Sequence, residues 1–170
     1  FIIFLLVNLA LPLVFLKGGK AWLYGYIAIN GCFLIPFAPM SVNVFGYLIS
    51  VTTIAWAPLY LITDILTERY GKRAAIGGAL LSALTGFVVI LLTQLALSFD
   101  PGPDSVGWHQ DLSNIYQYSV RMVCVGAGVF MLSQLVDIHI YDYLHKMTGE
   151  RFLWLRNNAS TIFTTLFNNI

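Results

Sequence analysis

The segment Tyr60-Leu-Ile-Thr-Asp-Ile-Leu-Thr-Glu-Arg-Tyr-Gly-Lys-Arg73 decides the fold, because an apolar helix here runs straight into two acids and three bases. Asp64 lies within the last apolar turns of that helix. A carboxylate is costly inside a bilayer, and a chain that keeps one there typically uses it for a ligand, an ion or a structural partner. The segment therefore predicts a membrane helix with a functional acid near its end.

The composition indicates a membrane protein. The 170 residues are 58% hydrophobic and 10% charged, whereas ordinary soluble domains contain about 25% charged residues. Such a chain cannot hide its apolar side chains in a soluble core. The Lys and Arg residues are spread along the sequence and form no basic face, so nucleic acid is not an expected partner. Cys32 and Cys124 lie in apolar segments without Cys or His at metal-ligand spacing, so neither a disulfide framework nor a zinc site is predicted.

The apolar segments have the lengths of membrane spans. A bilayer core of about 30 Å requires about 20 apolar residues as helix. Segments that meet or approach this length are 1–16, 21–38, 44–66, 74–99, 115–144 and 152–170. We therefore predict an all-α fold, a polytopic transmembrane helical bundle with about six spans that forms a single domain over residues 1–170. Because the chain begins without Met and both terminal segments are short, we expect it to be cut short at both ends.

Positive charges alternate between the connectors. Of the nine Lys and Arg residues, all except Arg121 lie in or beside the connectors after the first, third and fifth spans. The connectors at 39–43 and 100–114 contain none. Since Lys and Arg concentrate in cytoplasmic connectors, this pattern places Asp64 toward the cytoplasmic side. It also places the 100–114 connector outside, either as a tethering loop that anchors Trp108 in the outer headgroups or as a gate.

Polar residues also interrupt the later spans. Ser133, Gln134, Asp137 and Tyr141 share one face of the fifth span, where they can contact a planar heterocycle or tie neighbouring helices together. Arg121, early in the same span, either extends to the headgroups or pairs with a group inside the bundle.

Two further patterns concern packing and hydrogen bonding. A second polar stripe in the sixth span consists of Asn157, Thr161, Thr164 and Asn168, although Thr hydroxyls often bond carbonyls of their own helix. In the fourth span, small residues every four positions predict close helix packing rather than ligand binding; they are Ala74, Gly78, Ser82 and Gly86.

Four separated polar motifs stand out along the chain: Leu61-Ile-Thr-Asp-Ile-Leu-Thr-Glu-Arg-Tyr-Gly71, Arg121, Ser133-Gln-Leu-Val-Asp137 and Trp154-Leu-Arg-Asn-Asn-Ala-Ser-Thr161. Together they resemble the queuosine precursor transporter family, also called the vitamin uptake transporter family. The resemblance covers residues 44–170, the family core, which follows two N-terminal spans in residues 1–43. It implies a multi-pass protein of the bacterial inner membrane that imports 7-deazaguanine precursors of the modified tRNA base queuosine.

Matched position by position, the resemblance and the polar stripes together give a set of substrate-binding residues. They are Thr63, Asp64, Arg121, Gln134, Asp137, Asn157, Ser160 and Thr161. We expect Asp64, Gln134 and Asp137 to contact the edge of the ring, and Glu68 to be the local partner of the neighbouring bases. One departure stands in the sixth span, where Asn168-Asn169 replaces an Asp-Thr pair common in the family.

Other classes of function fit the sequence less well. A membrane enzyme would require paired acids with a metal, or a nucleophile with its base, and the sequence shows neither pattern; it also shows no nucleotide-binding motif. We therefore expect no enzyme activity and no cofactor. The expected partners are a small-molecule substrate and the lipid bilayer. A substrate-capture or structural subunit of a multi-component uptake system is the alternative, with homo-oligomers and an energising partner left open.

Overall fold

The computed structural model describes residues 2–149, 152, 154, 158–160 and 162, and within these ranges it leaves the side chains of residues 55, 118–124, 127 and 130 undescribed. The fold is mainly α-helical. Its elements are α1 Ile2–Leu16, α2 Lys20–Phe37, β1 Ser41–Val44, β2 Tyr47–Ser50, α3 Val51–Tyr70, α4 Lys72–Leu97, a 3-10 turn Pro103–Ser105 and α5 Val106–Thr148. The predicted sixth span lies almost wholly outside the described residues.

Residues 41–50 form a β-hairpin, so the prediction of an all-α fold with a span over 44–66 is wrong at this point. Phe45 and Gly46 have φ angles of 53° and 87°, as a two-residue turn with a positive φ at both central positions requires. The Gly46 N–H donates to Asn43 Oδ1 at 2.9 Å. Because the alternating side chains here are as apolar as those of a span, hydropathy alone does not separate the hairpin from the helix that follows.

Helix α3 has a clear start and a clear end. The Ser50 hydroxyl accepts a hydrogen bond from the Thr52 N–H and caps the first turn. At the other end Gly71 has a φ of 82°, its N–H donates to the Thr67 carbonyl, and α4 begins at the next residue. Glycine adopts this conformation without strain. The sharp reversal packs α4 against α3 and keeps the bases around Gly71 at one end of the bundle.

Helix α5 is longer than predicted. The sequence predicts a helix over 115–144 after a loop, but α5 begins at Val106 and runs for 43 residues to Thr148. Pro101 and Pro103 confine the irregular backbone to the first residues of the connector, and the chain is helical beyond them. Trp108, on the first turns of α5, is 70% exposed. The His109 ring Nε2 lies 3.0 Å from the Leu97 carbonyl and ties the start of α5 to the end of α4.

By length and hydropathy alone, α4 is the one helix in the described part of the chain that is long and apolar enough to cross a membrane. Helix α1 is apolar but has 15 residues. Helices α3 and α5 contain the acids, amides and bases described below, which interrupt their apolar stretches. The bundle with six spans therefore stays a prediction.

The core lies where α2, α3, α4 and α5 meet. Leu23 and Ile27 from α2 pack with Ile62 and Leu66 from α3 and with small residues of α4. The predicted close-packing seam is confirmed, because Ala74, Gly78, Ser82 and Gly86 are all buried. A Cβ atom on Gly78 would lie only 2.9 Å from Ile27 Cδ1. The small residues thus allow α4 to approach both α2 and α3.

Candidate functional site

Helices α3 and α5 face each other through polar side chains spaced by about one helical turn. We call this set the α3–α5 polar ladder: Thr63, Asp64 and Glu68 from α3, with Gln134, Asp137, Tyr141 and His145 from α5. The i, i+4 spacing of Asp64 and Glu68, and of Asp137, Tyr141 and His145, aligns each group along one face of its helix.

The first rung joins Thr63 to Gln134. The Thr63 hydroxyl lies 3.0 Å from Gln134 Oε1 and 2.8 Å from the carbonyl oxygen of Tyr60. Gln134 Nε2 is buried and has no hydrogen-bond partner among the described residues. A rotation of 180° exchanges the oxygen and the nitrogen of the Gln134 side-chain amide. In either orientation one of these two atoms contacts the Thr63 hydroxyl. In both cases the other end of a fully buried amide is available to a ligand.

The second rung joins Asp64 to Asp137. The two carboxyl groups interact electrostatically across the interface, and the residues are 5% and 0% exposed. Asp64 Oδ2 has no hydrogen-bond partner within the described part of the chain. An unsatisfied buried carboxylate oxygen costs several kcal/mol, on the order of the penalty for burying an ion without full compensation. An acid pair with an open acceptor is therefore better explained by ligand binding than by stability.

The third rung lies nearer the end of the bundle that the charge pattern predicts to be cytoplasmic. The Tyr141 hydroxyl donates to Glu68 Oε2 at 2.9 Å, and His145 Nδ1 lies 3.3 Å from the same oxygen. The side chains of Glu68 and His145 are 28% and 34% exposed. The ladder thus leads from a closed interior to a partly solvated end.

A further ion-pair group lies beside this rung. Asp142 on α5 contacts Lys72 at 3.5 Å and Lys146 at 2.8 Å. Lys72 begins α4, so the contact joins the start of α4 to the end of α5. These side chains are more exposed than the acids of the second rung, and their contribution to stability is correspondingly small.

The structure brings together four of the predicted substrate-binding residues, namely Thr63, Asp64, Gln134 and Asp137. Ser160 is fully buried in a short helical segment. Arg121 lies on α5, but its side chain is outside the described set, and Asn157 and Thr161 lie outside the described residues altogether. The structure gives the positions of the first four residues, and substrate-binding roles for all eight stay predictions.

The contacts of Glu68 with Tyr141 and His145 were missed by reasoning from the sequence. The bases beside Glu68 suggested a local partner, whereas the structure gives it partners on α5. The sequence does contain a pattern that indicates these contacts. Asp64 and Glu68 on α3 are spaced by four residues, and so are Asp137, Tyr141 and His145 on α5. A second missed feature is Asn30 of α2, which is 4% exposed and lines a cavity of about 260 Å³ between α1 and α2.

The inner part of the ladder combines carboxylate acceptors with a buried amide, on residues that are at most 5% exposed. Carboxylate oxygens accept from N–H groups, while an amide donates and accepts. Within the described residues, no group of three or more His, Cys, Asp or Glu side chains is arranged to hold a metal ion. This arrangement suits the recognition of a small polar ring by hydrogen bonds.

Buried polar side chains on otherwise apolar helices occur at the substrate pathways of membrane transporters. Residues 50–170 match the family described as "Putative vitamin uptake transporter". The protein belongs to this family, and it is a transporter rather than an enzyme. The match begins at Ser50, the N-cap of α3, and so includes both helices of the polar ladder.

One curated relative is similar along nearly the whole chain. It is the "Probable queuosine precursor transporter" of Bacillus subtilis (strain 168), which is 26% identical over 169 residues. The aligned region covers 98% of this chain and 73% of the relative. No solved structure matches the chain.

Proposed function

We propose that this protein imports a queuosine precursor of the 7-deazaguanine type, or a closely similar small heterocycle, across the bacterial inner membrane. The observation that carries the proposal is the buried group of Asp64, Gln134 and Asp137 between α3 and α5. In this group one carboxylate oxygen and one end of an amide have no partner among the described residues. The name of the Bacillus subtilis relative supports the choice of ring.

The hydrogen-bonding pattern of the ring fits these groups. A guanine-like ring presents two neighbouring N–H donors beside a carbonyl acceptor on one edge. The carboxylate of Asp64 can accept from the N–H donors, and the amide of Gln134 can donate to the carbonyl. A site built to pair such groups rejects analogues that lack them, because its own buried polar groups would then be unsatisfied. Asp137 lies beside Asp64 and interacts with its carboxyl group electrostatically.

The proposed setting is a multi-pass bundle whose ladder opens toward the cytoplasm. Arg69, Lys72 and Arg73 surround the turn between α3 and α4, as cytoplasmic connectors do. Glu68 and His145 lie at the same end of the ladder. Substrate held by Asp64 and Gln134 would then leave past this rung into the cell.

The test is uptake of labelled 7-deazaguanine by a bacterial host that cannot make queuosine and that expresses the full-length protein. We expect uptake above the host background. Asp64→Ala and Asp137→Ala should each abolish it while the amount of protein in the membrane is unchanged, because each removes a buried carboxyl group from the site. Asp104→Ala is the matched control, since Asp104 is an exposed acid in the predicted outer connector. Normal uptake by both site variants would contradict the proposal.

A further inference from the structure

A buried amide on α2 lies outside the α3–α5 polar ladder and is incompletely hydrogen bonded. Asn30 is 4% exposed, and its Oδ1 atom has no hydrogen-bond partner among the described residues. Its Nδ2 atom donates to the Tyr26 hydroxyl at 3.4 Å, and that hydroxyl donates to the Asn8 carbonyl oxygen of α1 at 3.3 Å. Both bonds are long for their types. Because a buried acceptor without a donor reduces stability, ligand binding explains this amide better than helix packing does.

Asn30 lines a cavity of about 260 Å³ between α1 and α2, which we call the α1–α2 cavity. Aromatic rings from both helices line it as well, namely Phe4 of α1 with Tyr26 and Phe33 of α2. Aliphatic side chains such as Val7 form most of the remaining wall. Since an apolar cavity of about 150 Å³ takes up a benzene ring, the α1–α2 cavity has room for a bicyclic ring.

The chemistry of the α1–α2 cavity restricts what it can bind well. Asn30 Oδ1 is an acceptor, so an occupant must supply an N–H or O–H donor to satisfy it. The aromatic rings favour an occupant with a flat aromatic surface. A lipid acyl chain has no donor and would leave the buried amide unsatisfied. A planar heteroaromatic compound with a ring N–H meets both requirements.

A second cavity adjoins the first and reaches the β-hairpin. Its volume is about 440 Å³, and it is lined by the hairpin, by the end of α2 and by the first turn of α3. Phe4 and Phe33 line both cavities, and their ring centroids are 5.9 Å apart. The hairpin lies at the end of the bundle that the charge pattern predicts to be outside. The two cavities therefore follow one another from the predicted outer end toward Asn30.

We propose that the α1–α2 cavity is an entrance site, which binds a planar heteroaromatic compound with a ring N–H donor before that compound reaches the ladder. The inference rests on the proposed function, because the compound is of the same class as the proposed substrate. Asn30 accepts from the ring N–H, and Phe4 and Phe33 pack against the ring. One amide replaces the several polar groups of the ladder, so the entrance site binds about 100-fold more weakly, as for two fewer hydrogen bonds.

The test is photolabelling of the full-length protein in lipid nanodiscs with a photoreactive 7-deazaguanine. After equilibration and irradiation, digestion and mass spectrometry locate the attached label. We expect one group of labelled residues on α3 and α5 around the ladder and a second group on α1 and α2 around the cavity. The second group should reach half-maximal labelling at a concentration about 100-fold higher than the first. Excess unlabelled 7-deazaguanine should remove both.

Asn30→Leu removes the acceptor and keeps a side chain of similar size. Labelling of α1 and α2 below saturation should fall by about tenfold, because the ring N–H loses its partner. Labelling of α3 and α5 should be unchanged, and the melting temperature should not fall, because an unsatisfied buried group has been removed. Uptake from dilute substrate should also fall by about tenfold, since its rate is proportional to the population of the entrance complex.

Val7→Phe tests the cavity without altering the amide. Val7 lines the cavity from α1, so a larger side chain there leaves less room for a ring. Val14→Phe is the matched control, because Val14 lies about two turns further along the same face of α1, is 54% exposed and does not line the cavity. We expect Val7→Phe to reduce labelling of α1 and α2, and Val14→Phe to leave it unchanged.

The outcomes distinguish this inference from the proposed function. Labelling confined to α3 and α5, or labelling of α1 and α2 that unlabelled 7-deazaguanine does not displace, would overturn the entrance site and leave the transport function intact. Normal uptake by Asn30→Leu would do the same. If the unmodified protein is labelled in neither region and cells that express it take up no labelled 7-deazaguanine, the proposed function fails and the inference fails with it.

Discussion

Two interfaces of the same bundle are built in opposite ways. Between α2 and α4, apolar side chains such as Ile27 pack against small residues, and a Cβ atom on Gly31 would touch the carbonyl oxygen of Ser82 at 3.6 Å. Between α3 and α5, Asp64, Gln134 and Asp137 are buried, and Asp64 Oδ2 and Gln134 Nε2 have no hydrogen-bond partner among the described residues. Close packing supplies stability, whereas unpaired buried polar groups reduce it. We therefore propose that the first interface mainly supplies stability and that the second recognises the substrate.

Several substitutions test whether the α2–α4 interface supplies stability and the α3–α5 interface binds substrate. Among them, Gln134→Leu should have the largest effect. It removes the amide from the polar interface and leaves a side chain of similar size, and Thr63 retains the Tyr60 carbonyl as a partner. Uptake should fall by about 100-fold or more, since a site that hydrogen bonds its substrate discriminates strongly when a partner is lost. The melting temperature of the purified protein should not fall. A normal uptake rate in cells with equal protein levels would argue against a role for the α5 amide.

Thr63→Val should have an intermediate effect. It removes the hydroxyl that holds Gln134, so the amide loses its fixed orientation and affinity for labelled substrate should fall by about tenfold, or about 1.4 kcal/mol. Thr67→Val is the matched control, because Thr67 is also buried on α3 and its hydroxyl bonds the Thr63 carbonyl within the same helix. If both variants bind equally well, the Thr63–Gln134 contact has no part in recognition.

Gly78→Ala should act on stability and leave recognition unchanged. The new methyl group would approach Ile27 Cδ1 at 2.9 Å and Leu66 Cδ1 at 3.1 Å, and both are ends of flexible side chains. We expect destabilisation of about 1 kcal/mol, the lower end of the cost of overpacking. Thermal unfolding and substrate affinity measured on one preparation check this.

Gly107→Ala provides the control for Gly78→Ala. Gly107 is helical, and a Cβ atom there meets no described atom within 4 Å. Alanine at this position should be neutral or slightly stabilising, because it is a better helix former. A loss of affinity in Gly78→Ala as large as its loss of stability would remove the distinction between the two interfaces.

Asp142→Asn should have the smallest effect. It breaks the contacts of Asp142 with Lys72 and Lys146, which are partly exposed. Such pairs contribute from zero to about 1 kcal/mol. Unfolding and uptake should both be close to normal, and a strong loss of uptake would extend the functional interface beyond the ladder.

The sequence predicted the polar interface better than it predicted the bundle around it. Thr63, Asp64, Gln134 and Asp137 were identifiable because polar residues are conspicuous on apolar helices, and the structure places them together. The hairpin at 41–50 was missed because its strands are as apolar as a span. The early start of α5 was missed because Pro and Gly residues suggested a longer loop.

Side-chain contacts between different helices were the feature that was hardest to predict from the sequence. Glu68 stands beside Arg69 and near Lys72 in the sequence, so a local partner was the natural expectation, yet Tyr141 and His145 lie 73 and 77 positions away. Only the packing of α3 against α5 brings these groups into contact. Spacing within each helix indicated which face is polar, but the register between the two helices is set by tertiary packing.

Equilibrium binding of labelled 7-deazaguanine to full-length protein in lipid nanodiscs, compared with Asp64→Asn, tests the central claim most directly. We expect saturable binding by the unmodified protein. In the variant, which has nearly the same shape but no carboxylate, binding should weaken by about 100-fold with no loss of thermal stability. Equal affinity of the two proteins would show that the acid in the α3–α5 interface does not recognise the substrate.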